Sequence, residues 1–331
     1  RKLGTGTPAI MAPLDSVHLH GKLWYSETDI RTSLTGSQAD WFQARPAGIA
    51  EDVLQQRRHL SWIIARGLPH WWFDVGGIRY DHPEIREIIR ESVRAANAAK
   101  TRDRSPVDEV AFVVDEESVK FLDVGDPLGE DLLTGQLPAL CRLGAPVGHY
   151  ALHDLSHLAE RKLLFFGGLL APYDRARREI DALKSGNRVL LFTYAPGLYR
   201  NGRWDESAME SLTGIPIRQA APPERFEAVV DTSTPPFAGL NGTRYGVART
   251  VEPVFLPVDG EDIDVLARLD DGRPALVLKR FPDWTAVFSA VPMLPDTLLN
   301  RLAAIAGVHL YTEPGVALWA SRDALAVSVD D

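Results

Sequence analysis

The chain has 331 residues, of which 45% are hydrophobic and 24% are charged, enough for two domains of ~100–200 residues each. A net charge of −9 repels phosphate backbones and anionic lipid surfaces, so we expect no nucleic-acid and no membrane partner. The single cysteine, Cys141, excludes an internal disulfide scaffold and a cysteine-based zinc site, but it leaves the cellular compartment open.

The first hundred residues alternate predicted strands and helices. Partial apolar–polar alternation predicts a strand at residues 16–25. An imperfect apolar face predicts a helix at residues 51–66, which Gly67 ends. Residues 70–75 form a nearly continuous apolar run, as in a buried strand. A second helix is predicted at residues 83–99, with proline in its first turn. This order is typical of a parallel sheet or barrel.

A charged stretch, KTRDRSP, predicts a domain boundary near residue 102. It separates a first domain, residues 1–102, from a second, residues 103–250. The second domain again alternates β and α patterns, which predicts an open, doubly wound α/β sheet. Its predicted strands are 110–114, 149–152, 163–166 and 188–194, and its predicted helices are 132–143 and 172–184.

The pattern changes from about residue 222, where proline, glycine and short β-rich runs dominate. Strands are predicted at residues 274–278 and 284–290, a helix at 294–306, and a final hairpin around Pro314 and Gly315. We assign residues 251–331 to a β-rich region with one helix. The pattern leaves open whether this region is separate or completes the α/β domain.

Two segments carry a resemblance to a known family. They are HGKLWYSETDIRT at residues 20–32 and GLPHWWFDVGGIRYDHPEI at residues 67–85. Together they resemble the seventh and eighth barrel strands of glycosidases of the family 42 β-galactosidase type. The VDEES start of the second domain and the later KRFPDWTAVFSA segment fit the same layout.

The resemblance implies a partial (β/α)8 barrel consisting of its last two βα units. A domain resembling class I glutamine amidotransferases follows in that family and serves in trimer assembly, and a small β region ends the layout. Barrel strands one to six have no counterpart here, and the chain begins at Arg1 without an initiator methionine. We therefore expect a C-terminal part of a longer enzyme.

Glu27 is the candidate catalytic residue. It follows the first predicted strand, where the resemblance places the nucleophile of a retaining β-glycosidase, and the acid/base glutamate would precede Arg1. Such enzymes need two carboxyl groups ~5–5.5 Å apart, and barrels build their sites at the carboxyl ends of strands. Lys22 or Arg31 nearby would keep the carboxylate ionised. The alternative is an ordinary loop glutamate paired with Arg31.

Four further residues are predicted to contact carbohydrate: Trp72, Asp74, His20 and Trp24. Trp72 is the preferred stacking platform, because indole suits the apolar face of a sugar ring and its neighbour Trp71 must point to the opposite face. Asp74 either binds a sugar hydroxyl or caps the Gly-Gly turn that follows it. His20 is either a substrate contact or a structural histidine.

The second domain lacks the residues of a catalytic amidotransferase. Its elbow-like segment, residues 190–197, carries Tyr194 and Ala195 where such an enzyme needs a nucleophilic cysteine. Cys141 falls in a predicted helix, where a buried, inert thiol is the usual case. His153 and His157 lie four residues apart, but no third metal ligand accompanies them. We expect a scaffold domain, no metal and no cofactor.

The combined interpretation is a part of a retaining, β-galactosidase-like glycosidase that acts on carbohydrate. We expect a homotrimer that includes the missing N-terminal barrel portion, and an isolated chain that is inactive because its acid/base residue lies upstream. The alternative is a non-catalytic assembly or carbohydrate-binding module, since two strands do not close a barrel. The sequence leaves the sugar and the linkage open.

Overall fold

The computed structural model describes residues 12–35, 46–74, 77–123 and 125–329. The chain divides into two compact units: a first unit, Arg1–Asp108 with Val316–Asp331, and a second unit, Glu109–Gly315. The α-helices of the described residues are α1 Leu14–Leu19, α2 Ile49–Arg66, α3 Pro83–Ala98, α4 Leu128–Leu132, α5 Leu137–Cys141, α6 Asp174–Leu183, α7 Ser207–Thr213 and α8 Asp296–Ile305. The strands are β1 Ser26–Thr28, β2 His70–Trp72, β3 Val110–Val114, β4 Val147–Ala151, β5 Leu163–Gly167, β6 Arg188–Thr193, β7 Tyr199–Arg200, β8 Arg203–Trp204, β9 Ile217–Ala220, β10 Phe226–Val230, β11 Arg244–Val247, β12 Val254–Pro257, β13 Asp264–Leu269, β14 Pro274–Arg280, β15 Trp284–Ser289, β16 Ala317–Ser321 and β17 Ala324–Ser328.

The core of the first unit forms around α2. This helix ends at Gly67, whose φ of 66° is a left-handed conformation that glycine adopts without steric cost. Apolar residues from α1, α2 and the β16–β17 hairpin pack together, with Trp62 and Trp319 as the largest members. An ion pair between Asp15 and Arg66, both nearly fully buried, fastens α1 to the end of α2. The hairpin from the far end of the chain therefore belongs to this unit.

The second unit is built on a large mixed sheet. In the described part of this unit, nine strands join in the order β11-β10-β13-β14-β15-β6-β5-β3-β4. The strands from β15 to β4 are parallel, and β14 pairs with β15 antiparallel. The runs VAFVV in β3 and LLFFG in β5 are almost entirely buried, as expected for parallel strands covered on both faces. The protein is thus an α/β protein, as predicted.

Most predicted elements of the second unit are confirmed, and one is wrong. The strands predicted at 110–114, 149–152, 163–166 and 188–194 correspond to β3, β4, β5 and β6. The helix predicted at 132–143 is instead two short helices, α4 and α5, with a 3-10 turn between them. Pro138 lies in the first turn of α5, where proline begins a helix rather than continuing one.

Two predictions in the first unit are also wrong. Residues 16–25 are not a strand: α1 occupies the beginning, Gly21 follows it with a φ of 65°, and β1 starts only at Ser26. The polar SET tripeptide, predicted to follow the strand, is the strand itself. The final hairpin turns at Arg322 and Asp323, between β16 and β17, and not at Pro314.

The predicted division at residues 102 and 250 stays a prediction. Among the described residues, no helix combines the length and the hydropathy that crossing a bilayer requires.

Candidate functional site

The candidate site lies on the two parallel strands of the first unit. β1 and β2 pair in register, with Ser26 opposite His70, Glu27 opposite Trp71, and Thr28 opposite Trp72. Residues that flank β2 extend the ladder at both ends, because the Ser26 N–H donates to Pro69 O at 3.0 Å and the Phe73 N–H donates to Thr28 O at 3.2 Å. Register partners in a sheet share one face, so the pairing decides which side chains meet.

One face of this strand pair is turned toward α2. The Thr28 hydroxyl lies 3.1 Å from Nε2 of His59, a buried residue of α2. Ser26 and Thr28 are both buried, and their partners His70 and Trp72 contact each other with ring centroids 4.6 Å apart. Burial lowers the pKa of His70 below its ordinary value, so the ring is neutral near pH 7.

Glu27 and Trp71 share the opposite face. Glu27 is exposed, and Trp71 is 37% exposed. The Trp71 ring packs edge-on against Phe73, with centroids 5.3 Å apart. An accessible carboxylate therefore stands beside an accessible indole on the side of the strands that α2 does not cover. A carboxylate and an aromatic ring in this relation can attack and stack on a pyranose.

A polar clamp, formed by Asp29, Arg79 and Tyr80, holds the carboxyl ends of the two strands. Arg79 pairs with Asp29, and its Nη1 also donates to Phe73 O at 3.3 Å. The Tyr80 hydroxyl donates to Thr28 O at 2.7 Å. Burial raises the pKa of Tyr80 well above its ordinary value, so this hydroxyl remains a donor at any physiological pH. The clamp fixes the backbone that follows Glu27 and the residue that follows β2.

The other predicted carbohydrate contacts are dispersed. His20 is exposed and directly follows α1. Trp24 is half-buried and packs edge-on against Trp62, with centroids 5.9 Å apart. Asp74 accepts the Arg79 N–H at 3.1 Å. Gly76, the first glycine of the turn that Asp74 was expected to cap, lies outside the described residues. The strand register therefore brings together Glu27 and Trp71.

Arg79, Tyr80 and His59 did not emerge from the sequence as site residues. Arg79 and Tyr80 belong to the IRYDHPEI part of the second resembling segment, so that segment already contained them. Their partners lie about 50 positions earlier in the chain, which no local pattern indicates. His59 is an interior residue of α2, and only the contact with Thr28 gives it a role.

The elbow after β6 in the second unit carries no nucleophile. Tyr194 adopts a φ of 66°, an unusual conformation for a bulky residue. Its ring is buried, and its hydroxyl donates to Pro253 O at 2.7 Å. Burial raises its pKa, which opposes ionisation of the phenol. At this turn the structure therefore places a buried phenol that resists ionisation.

Comparison by sequence finds no protein-family model and no curated protein that matches the chain. Comparison of folds finds β-galactosidases. The chain is similar to the enzyme from a Rahnella species with a TM-score of 0.64 at 15% identity, over 88% of this chain and 48% of the enzyme. It is also similar to a GH42 β-galactosidase from G. stearothermophilus, with a TM-score of 0.60 at 14% identity, over 86% of this chain and 45% of that one.

A third similar structure is the β-galactosidase from the Antarctic haloarchaeon Halorubrum lacusprofundi. The TM-score is 0.59 at 18% identity, over 92% of this chain and 47% of the enzyme. The chain thus spans about half the length of the structures it matches. At these identities the likeness establishes a shared fold, and the resemblance stated from the sequence agrees with it.

Proposed function

We propose that the chain is the C-terminal part of a retaining, β-galactosidase-like glycosidase, with Glu27 as its catalytic nucleophile. The observation that carries this proposal is the exposed position of Glu27 beside Trp71, on the face of the β1–β2 pair opposite α2. In a (β/α)8 barrel the helices cover the outer face of the strands and the site forms at their carboxyl ends. Helix α2 has the position of such an outer helix, so Glu27 would face the barrel interior.

The fold comparisons support this proposal independently. Three β-galactosidases share the fold over 86–92% of the chain, and the chain accounts for about half of each. Under this proposal β1 and β2 are barrel strands seven and eight. The upstream half of the enzyme supplies strands one to six and the acid/base glutamate.

The proposed mechanism assigns one task to each side chain. Glu27 attacks the anomeric carbon, and the glycosidic C–O bond breaks as the upstream glutamic acid protonates the leaving oxygen. A covalent glycosyl ester at Glu27 results, and a water activated by the upstream carboxylate then hydrolyses it. The Asp29–Arg79 pair keeps the strand end in place and does not itself react.

The strand register favours Trp71 over Trp72 as the stacking platform. Trp71 shares a face with Glu27, whereas Trp72 faces α2 and contacts His70. Asp74, His20 and Trp24 remain proposed substrate contacts; of these, Asp74 lies nearest in sequence to the carboxyl end of β2.

The decisive experiment uses the polypeptide that includes the upstream segment. Glu27→Gln removes the nucleophilic oxygen without changing the side-chain size, so turnover of an aryl β-galactoside should fall by roughly 10⁴-fold or more, in the range that loss of a catalytic residue produces. Glu27→Gly with added azide should restore cleavage and give a glycosyl azide of inverted configuration, because azide replaces the missing carboxylate. Glu91→Gln, an exposed glutamate of α3, is the matched control and should keep full activity. Full activity of Glu27→Gln would remove Glu27 from the mechanism.

The second unit is proposed to be the amidotransferase-like assembly domain of a homotrimer. Its parallel strands with helical connections and the nucleophile-free elbow at Tyr194 support a scaffold role. Sedimentation of the complete enzyme should give three times the subunit mass, whereas a monomer would contradict this assignment.

A non-catalytic module is the second candidate, and one observation favours it. In the described residues β1 and β2 form a sheet of only two strands, which does not close a barrel. Intact mass of the protein isolated from its source distinguishes the candidates. A native polypeptide limited to this chain, inactive on every aryl glycoside, would support the module.

A further inference from the structure

A cavity opens at the carboxyl edge of the large sheet in the second unit. Its volume is about 200 Å³, and residues from several connections line it. Phe121 and Asp123 follow β3, Leu170 follows β5, and Tyr194 follows β6. These strands are parallel neighbours in the order β6-β5-β3, so their connections converge above one end of the sheet.

The strand order makes this edge the expected place for a ligand. From β3 the chain passes to β4, its neighbour on one side, and then crosses back to β5, the neighbour of β3 on the other side. In open α/β sheets, ligands bind outside the carboxyl ends of the strands at such a reversal of direction. The cavity therefore coincides with the topological switch point between β3 and β5.

An arc of aromatic rings forms one wall of the cavity. The ring centroids of Phe121 and Tyr199 lie 4.4 Å apart with planes tilted by 31°. Those of Tyr199 and Trp204 lie 6.1 Å apart with planes at 78°. The ring centroids of Trp204 and Phe255 lie 5.3 Å apart, and those of Phe255 and Tyr194 lie 5.9 Å apart. Trp204 is 44% exposed, so an indole of this arc is accessible to a ligand. Five aromatic rings therefore border one volume.

The charged side chains among the described lining residues of the cavity are all acidic. Asp123, Asp126 and Glu252 contribute to its lining, and none of its described lining residues is basic. Arg249 approaches Asp126 to 4.0 Å from outside the lining, but this arginine is already paired with Asp131. Asp123 and Glu252 are exposed, and their charge is not compensated within the lining. An anionic ligand is disfavoured here, and a cation is favoured.

We propose that this cavity binds a small organic cation of the alkylammonium class. Aromatic faces attract a cation through the ring quadrupole, and quaternary ammonium ligands are recognised by cages of such rings. The carboxylates at the rim add a direct Coulomb attraction. This site lies wholly within the second unit, so the inference stands apart from the proposed glycosidase chemistry of Glu27.

The test is calorimetric titration of the full chain with choline and with its neutral carbon isostere, 3,3-dimethylbutan-1-ol. Choline should bind about ten-fold tighter than the isostere, because only the charge differs. The double substitution Asp123→Asn with Glu252→Gln should weaken choline binding by about ten-fold and change isostere binding by less than about two-fold. Trp204→Ala should weaken binding of both ligands.

Glu160→Gln is the matched control. Glu160 is an exposed glutamate that precedes β5, at the amino edge of the sheet, so its substitution should leave choline binding unchanged. Circular dichroism verifies the fold of each variant. Equal affinity for choline and its isostere, preference for a neutral methyl β-galactoside, or absence of choline binding to the unsubstituted chain would each overturn the proposal.

Discussion

Replacing Arg79 with alanine removes the cation that holds the carboxyl ends of β1 and β2 together. The side chain of Arg79 is 10% exposed and that of its partner Asp29 is 31% exposed. The Arg79 guanidinium also donates to Phe73 O at 3.3 Å and lies 5.8 Å from the Phe73 ring centroid. Breaking a fully buried pair costs ~3–5 kcal/mol. Asp29 retains part of its solvent, so we expect Arg79→Ala to lower the free energy of unfolding by about 2–3 kcal/mol.

Urea denaturation followed by tryptophan fluorescence measures this loss, because several tryptophans lie in the first unit. The matched control is Arg86→Ala, which breaks the ion pair of Arg86 with Asp81, whose side chains are 56% and 54% exposed. An exposed pair contributes only ~0–1 kcal/mol. Equal losses in the two variants would refute the reasoning, since burial is the difference between the two pairs.

Three further predictions test packing, titration and stacking. Gly246→Ala places a Cβ 2.3 Å from Cγ1 of Val291 at a φ of 111°, so urea denaturation should show that the free energy of unfolding falls by about 3 kcal/mol. The control Gly202→Ala has a φ of 71° and nothing within 4 Å of the new Cβ, so it should lower the free energy of unfolding by only ~1 kcal/mol. Burial lowers the pKa of His70 below the ordinary 6.5, so the unfolded chain binds the proton more readily than the folded chain. The free energy of unfolding is therefore undiminished above about pH 6.5 and falls as the pH drops below that value. His70→Leu should reduce the loss of stability between about pH 7.5 and pH 5, and an unchanged loss would contradict this assignment. Under the proposed glycosidase function, Trp71→Ala in the polypeptide that includes the upstream segment should raise the KM for an aryl β-galactoside by up to about ten-fold, since a stacked ring contributes ~0.5–1.5 kcal/mol. An unchanged KM would exclude Trp71 as the stacking platform.

The sequence predicts the strands of the second unit because their signal is local. β3, β5 and β6 are short apolar runs bounded by polar or turn residues, and burial on both faces needs no other pattern. The helix α2 was predicted for a similar reason, with Gly67 marking its end. These elements carry their structural information within a few consecutive residues.

The errors in the first unit arise from contacts between distant residues. Residues 16–25 alternate like a strand, but the Asp15–Arg66 pair, 51 positions apart, helps hold the beginning of this region as helix α1. The choice between Trp71 and Trp72 is decided by the register of β2 against β1. The Arg79–Asp29 pair spans 50 positions. The family resemblance predicted the role of Glu27, whereas the residues that surround Glu27 could be identified only from the tertiary structure.

The return of the β16–β17 hairpin to the first unit affects how this protein is made. Trp319 covers Trp62 and its neighbours on α2, but a ribosome adds the hairpin only after the whole of Glu109–Gly315. At ~5–20 residues per second, about 200 intervening residues take about 10–40 s. During that interval the apolar face of α2 lacks its final cover, while the second unit can already fold. Nascent chains should therefore depend on chaperones most strongly just before residue 317 emerges.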